Sequence, residues 1–165
     1  MFFTQNNKTK MLEVRNAIRN DVNAIVDIHN QAFPDFFLTS LGDGFLHLYY
    51  RCMCKCKEAV TLCAVEDGKV VGFSTTALKS AGFNTRLIKN NMIGFMMEGV
   101  RLLFSSPKSL FRLFKNFTKK STDVADDGEY AELFSIGVLP TCQGKGIGGL
   151  LLADTERALS ERGGG

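Results

Sequence analysis

An apolar run from Tyr130 to Val138 leads into Gln143-Gly144-Lys145-Gly146-Ile147-Gly148, and Gly149-Leu150-Leu151-Leu152-Ala153-Asp154 follows. This order predicts a strand that feeds a glycine turn opening a helix. So many glycines weaken the start of a helix with no local benefit, so their use lies elsewhere. Without a Cβ the backbone can approach an oxyanion closely. The unpaired N–H groups of a helix start, aided by the helix dipole, hold negative charge. The segment therefore predicts a cradle for phosphate or pyrophosphate.

Spacing separates the motifs that could claim this stretch. A P-loop needs Ser or Thr after Gly-Lys to reach magnesium, whereas Gly144-Lys145 is followed by Gly146. Gly144, Gly146 and Gly149 satisfy G-x-G-x-x-G, but a dinucleotide site expects an acidic ribose partner roughly 20 residues onward, past Gly165. The remaining pattern is Gln/Arg-x-x-Gly-x-Gly/Ala, which Gln143, Gly146 and Gly148 match. It resembles the coenzyme A pyrophosphate loop of the GNAT N-acetyltransferases. The run Leu133-Phe134-Ser135-Ile136-Gly137-Val138-Leu139-Pro140 resembles that family's central strand and turn, and Gly149 to Leu159 its cofactor-binding helix.

The resemblance implies an α+β (α/β) fold, a mixed, mainly antiparallel sheet flanked by helices, with acetyl-CoA (coenzyme A) as cofactor. It places the pantetheine arm along Ile136-Gly137-Val138, through main-chain groups of Ile136 and Val138. The pyrophosphate falls on the main-chain N–H groups of Gln143, Gly144, Lys145, Gly146, Ile147, Gly148 and Gly149, with Lys145 adding surface charge. An amine attacking a thioester must first lose a proton, and the carbonyl oxygen needs stabilising as charge develops. The family usually achieves direct transfer with no covalent enzyme intermediate, and it often places a carboxylate on the central strand. Glu132 is thus the candidate general base, directly or through water, with Glu129 second. The competing reading leaves either carboxylate at a solvated strand edge. Cys142 is no nucleophile candidate, because no histidine is paired with it in the sequence nearby.

Upstream, Met11 to Arg15 reads as a strand, and Asn20-Asp21 as the cap of a helix running to about Ala32. Phe33-Pro34-Asp35-Phe36-Phe37 breaks the helix. Leu41, Phe45, Leu48 and Tyr49 then repeat at helical spacing, in a segment the family places beside the acceptor site. Ala59 to Val65 and Val70 to Leu78 are β-rich and joined by Glu66-Asp67-Gly68-Lys69, where Asp-Gly signals a hairpin. The resulting order, β, α, α, β, β, insert, β, glycine turn, α, follows the family from about residue 11 to 165.

At 165 residues and 45% hydrophobic, the chain can bury one sizeable core and needs no second domain. Met1-Phe2-Phe3 precedes Thr4-Gln5-Asn6-Asn7-Lys8-Thr9-Lys10, too polar for a signal peptide, and no stretch approaches roughly 20 apolar residues. A cytoplasmic protein is expected. Five cysteines include Cys52-Met53-Cys54-Lys55-Cys56, but only Cys52 and Cys56 share a helix face, and no Cys-x-x-Cys or histidine pair completes a zinc shell. No metal site is expected, and His29 and His47 read as structural.

The insert from Lys79 to Gly128 is strongly basic. Nine Lys and Arg between Lys79 and Lys120 face Glu98 alone, a local +8 within a chain whose total is +3. A helix is expected over Met92 to Phe104. A second, amphipathic and basic helix is expected around Leu110, Phe111, Phe114 and Phe117, with Lys108, Arg112, Lys115 and Lys119 nearby. The two either pack on the domain with their basic side solvated, or form a lid over an anionic acceptor or a surface for anionic lipid. Nucleic acid is not expected, since no recognised module accompanies the patch.

In the resembling family the cofactor helix is followed by a strand, a helix and a hairpin that complete the cleft and supply a tyrosine general acid. Here Ser160-Glu161-Arg162-Gly163-Gly164-Gly165 ends the sequence, so the resemblance implies a fold truncated after that helix, with an exposed sheet edge and a homo-oligomer. Two functions follow. One is transfer of acetyl from acetyl-CoA to a small-molecule amine, such as an amino sugar or other anionic metabolite. The alternative is a non-catalytic acyl-CoA-binding or interaction module.

Overall fold

A computed structural model describes residues 11–108, 111, 115 and 130–163. Strand β1 (Leu12–Asn16) is followed by helices α1 (Val22–Ala32) and α2 (Asp43–Lys55), strands β2 (Ala59–Glu66) and β3 (Lys69–Ala77), and helices α3 (Phe83–Asn90) and α4 (Met92–Ser105). Strand β4 (Glu132–Val138) and helix α5 (Ile147–Glu161) close the order. The strands form one sheet in the order β1-β2-β3-β4, every neighbouring pair antiparallel. The architecture is the α+β arrangement expected, with helices on both faces.

Strand β2 shows why both faces must be covered, since all its residues from Ala59 to Val65 are buried. Side chains alternate across a strand. Accordingly Ala59, Cys63 and Val65 join a core with α1, α2 and α3, while Val60, Leu62 and Ala64 join a second core with Ile147 and Leu151 of α5. Each large apolar side chain buried this way contributes about 1.5–3 kcal/mol. The β2–β3 turn holds Asp67 at φ 51° and Gly68 at φ 79°. That is the mirror-image turn whose twist suits a two-residue hairpin, and it explains why Asp-Gly stands there.

Some local expectations change. Asp21 does not cap α1 with its side chain. Its carboxylate turns back to accept both Arg15 guanidinium nitrogens, at 2.6 and 3.0 Å, and the Ile18 N–H at 2.8 Å. The Arg15 guanidinium on β1 outcompetes the helix start because it pairs the carboxylate with an opposite charge through two bonds, whereas a cap would pair it with neutral backbone N–H groups. Helix α5 begins at Ile147 rather than Gly149, because Gly146 at φ 80° completes the turn. Helix α3 was not anticipated. It is anchored by Phe83 and Leu87, one turn apart and both buried. Cys52 is buried and Cys54 and Cys56 are half-buried, with Cys56 ending α2. Among the described residues no group of three His, Cys, Asp or Glu is placed to hold a metal ion.

Helix α4 matches its expected span. It buries Leu102 but leaves Ile93, Met96, Met97, Val100 and Phe104 exposed. Packing of its apolar residues is thus partial. The basic helix expected around 110–119 lies mostly outside the described residues, as does Glu129. No helix among the described residues is long and apolar enough to cross a membrane.

Candidate active site

The glycine turn follows β4 through Pro140–Cys142, a short 3-10 turn, and ends on α5. Gly144 and Gly146 take φ of 76° and 80°, a region that side chains with a Cβ adopt only with strain. A Cβ placed at Gly144, Gly146, Gly148 or Gly149 would meet no protein atom within 4 Å. The turn is therefore open on the outside, and these glycines are not required by internal packing. No side chain caps the start of α5, so its first N–H groups have the arrangement that binds anions. Beneath the turn, Ile147 and Leu151 are buried and the Ser74 and Thr155 hydroxyls lie 2.7 Å apart, which pins α5 to β3. Gly72 allows that approach, since a Cβ there would stand 3.1 Å from Leu151 Cδ1. Cys142 is buried in this lower core, and Lys145 is exposed.

Among the described residues strand β4 lies at an edge of the sheet. The Leu139 N–H donates to Val71 O. Main-chain groups alternate between the two sides of an antiparallel strand, so Gly137 also faces β3, and Ile136 and Val138 present theirs to the free side. The Gln143 side-chain amide donates to Val138 O at 3.1 Å, which ties the glycine turn to the strand end. Gly137 is buried where a Cβ would lie 2.9 Å from Phe73 and 3.2 Å from Phe33. Of the predicted set, Ile136 and Val138 on the strand edge and Gln143, Gly144, Lys145, Gly146, Gly148 and Gly149 at the turn and helix start are accessible, while Gly137 and Ile147 are buried beneath them.

Further up β4 the ladder breaks. Thr75 pairs with Ser135 and Thr76 with Leu133, so Phe134 is an extra residue without a partner on β3. Bulges of this kind re-aim side chains and occur often beside active sites. Phe134 stacks on Phe83 of α3 at 5.4 Å, and with Phe36 it walls two cavities. One, about 270 Å³, runs along the β4 edge from Leu133 to Ile136 beside Phe33. The other, about 350 Å³, opens toward α2, α3 and α4.

Glu132 begins β4, paired with Ala77. Its Oε2 accepts the Ser80 hydroxyl at 2.5 Å. Burial, with the Glu132 charge second, holds the Tyr49 phenol protonated well above its ordinary range. Glu132 and the glycine turn therefore stand at opposite ends of one strand, about 20 Å apart at strand rise. Sequence reasoning missed a polar chain under the cleft. His29 Nδ1 lies 2.6 Å from the Tyr50 hydroxyl, which is also hydrogen-bonded to Ser135 on β4. Burial lowers His29 to about 4, and its Nε2 has no partner among the described residues. Tyr50 is likewise held protonated by burial, against the opposing Ser135 hydrogen bond. The residues are far apart in sequence, and only the fold brings them together.

An antiparallel sheet whose edge strand runs into an open glycine turn and an uncapped helix start defines the protein as an α+β fold with helices on both faces. A family profile described as Acetyltransferase (GNAT) family matches residues 22–165, and the chain belongs to that family. Among solved structures it is similar to an aminoglycoside N-acetyltransferase solved with CoA. The TM-score is 0.59 at 12% identity, over 95% of this chain and 74% of that one. It is also similar to a GNAT family acetyltransferase from Brucella melitensis solved with acetyl-CoA. There the TM-score is 0.53 at 17% identity, over 93% of this chain and 71% of that one. No curated protein matches the chain.

Proposed function

We propose that the protein is an N-acetyltransferase that moves the acetyl group of acetyl-CoA to the amine of a small molecule. The observation that carries this reading is the alignment of the free β4 edge with the open glycine turn and the uncapped start of α5. The fit to a phosphorylated ligand is favourable because Gly144, Gly146, Gly148 and Gly149 put no Cβ over the turn and no side chain caps the α5 N–H groups. The N–H groups from Gln143 to Gly149 would hold the pyrophosphate, with Lys145 adding charge at the rim. Ile136 and Val138 would meet the pantetheine arm, through the Val138 N–H in particular, since Gln143 engages its carbonyl. When bound, acetyl-CoA supplies a thioester that an amine can attack directly.

Glu132 accepts the proton whose loss turns the acceptor ammonium into a nucleophile. The nitrogen then bonds the acetyl carbon as the carbon–sulfur bond breaks, and a second nitrogen proton ends on sulfur. The Ser80 hydroxyl holds the carboxylate in place. The expectation of an amino sugar or anionic acceptor rests on the charge of the insert, while self-association rests on the exposed sheet edge. The test is calorimetry with acetyl-CoA joined to thiol release with an amine panel. Saturable binding with amine-dependent release is expected; absence of binding would remove the assignment.

A further inference from the structure

The cavity of about 350 Å³ is more than twice the roughly 150 Å³ known to accommodate benzene, and it falls within the range of small-molecule sites. Its walls come from five elements. Phe36 precedes α2, Phe45 and Tyr49 lie on α2, Leu87 on α3, Phe95 on α4, and Phe134 is the bulged residue of β4. Among the described residues, none that lines it is charged and Asn84 is the one amide. Two cations of the surrounding helices engage elsewhere. Arg86 pairs with Glu58 and Arg101 with Glu98. Of the described part of the basic insert, Leu87, Ile88 and Phe95 line the cavity together with Asn84.

We propose, resting on the transferase reading above, that this cavity receives the acceptor, and that the acceptor is a primary amine on an apolar, ring-sized or branched-chain body. Glu132 stands two residues before the shared wall Phe134 and would meet the ammonium. Glu132 is outside the lining, but its charge acts on the wall residue Tyr49, and a carboxylate beside an apolar chamber suits an amine with an apolar remainder. It offers nothing to the methyl end of an acyl chain. A polyhydroxylated amine would leave its hydroxyls facing aromatic rings, and each such unpaired group costs roughly tenfold in affinity.

The test measures acetyl-CoA-dependent thiol release by the full chain with 2-phenylethylamine, isoamylamine, glucosamine and glutamate, and coenzyme A affinity by calorimetry. The apolar amines should exceed glucosamine and glutamate in kcat/KM by about tenfold or more. Ile88→Trp, at a half-buried position on the wall, should remove that advantage while coenzyme A affinity holds. Asn84→Lys, at an exposed position, should shift preference toward glutamate. Faster turnover of glucosamine would overturn the inference and leave the transferase reading standing. So would acetyl-CoA binding with no panel amine acetylated. Octanoyl-CoA outperforming acetyl-CoA, with that advantage lost in Ile88→Trp, would reassign the cavity to the acyl chain. A chain that binds no acetyl-CoA would remove the transferase reading first and this inference with it.

Discussion

Three residues carry the site's most direct tests. At Gly146, φ of 80° and an open outer face mean that a substitution disturbs backbone conformation and ligand approach together. Gly146→Asn tolerates the left-handed region and should fold near normally while losing about tenfold in coenzyme A affinity. Gly146→Val should lose more and also stability; unchanged calorimetry in both variants would refute the cradle. Glu132→Gln preserves shape and removes the proton acceptor. Turnover should fall by about 10²- to 10⁴-fold with coenzyme A affinity retained, and a parental rate would return Glu132 to a structural role. His29, lowered to about 4 by burial, is neutral in the fold and protonates near its ordinary 6.5 when unfolded. The unfolded state therefore binds the extra proton between these values, so stability is full above about 6.5 and declines as pH falls toward 4. Denaturant midpoints at pH 7 and 4.5 should show this loss, and it should shrink in His29→Gln. The Asp21 carboxylate, held low by its Arg15 hydrogen bonds, contributes stability lost only at still lower pH, which keeps the two windows apart.

At the scale of elements, helix α5 depends on its seat. Leu151 is fully buried against the sheet, where Gly72 makes room for it. Leu151→Ala should cost about 2–5 kcal/mol and weaken coenzyme A binding by loosening the helix start; a urea melt beside calorimetry reads both effects. Elements written in local chemistry were legible in the sequence. Asp67-Gly68 announced the β2–β3 hairpin because both residues take positive φ, and the glycines after Val138 announced the turn because so many residues without a Cβ have no use in a helix start alone. Helix α3 escaped notice because it shows only Phe83 and Leu87 at helical spacing, too short a period to stand out. The bulge at Phe134 is invisible in an apolar run where every residue suits a strand. The large cavity was hidden because its walls come from five elements. The chain of His29, Tyr50 and Ser135 was hidden for the related reason that hydrogen bonds over such separations exist only once α1, α2 and β4 have packed.

Across the whole molecule, the free side of β4 has two possible occupants. An exposed strand edge recruits another strand, and the same outward groups of Ile136 and Val138 are those a pantetheine arm would use. Self-association through this edge should therefore be opposed by acetyl-CoA. Light scattering should report a larger average mass without the ligand and a smaller one at saturation; mass independent of ligand would place any contact elsewhere, such as the exposed face of α4. The seven residues of β4 also act as a ruler, since the proposed anion cradle and the proposed base are attached to its two ends. Phe134 is the one graduation with no partner on β3. Deleting it would restore an unbroken ladder, so the fold should tolerate the loss. The two ends would stay opposite Ala77 and Gly72, about 17 Å apart at strand rise, so the ruler would keep its length and lose only the mark that walls both cavities.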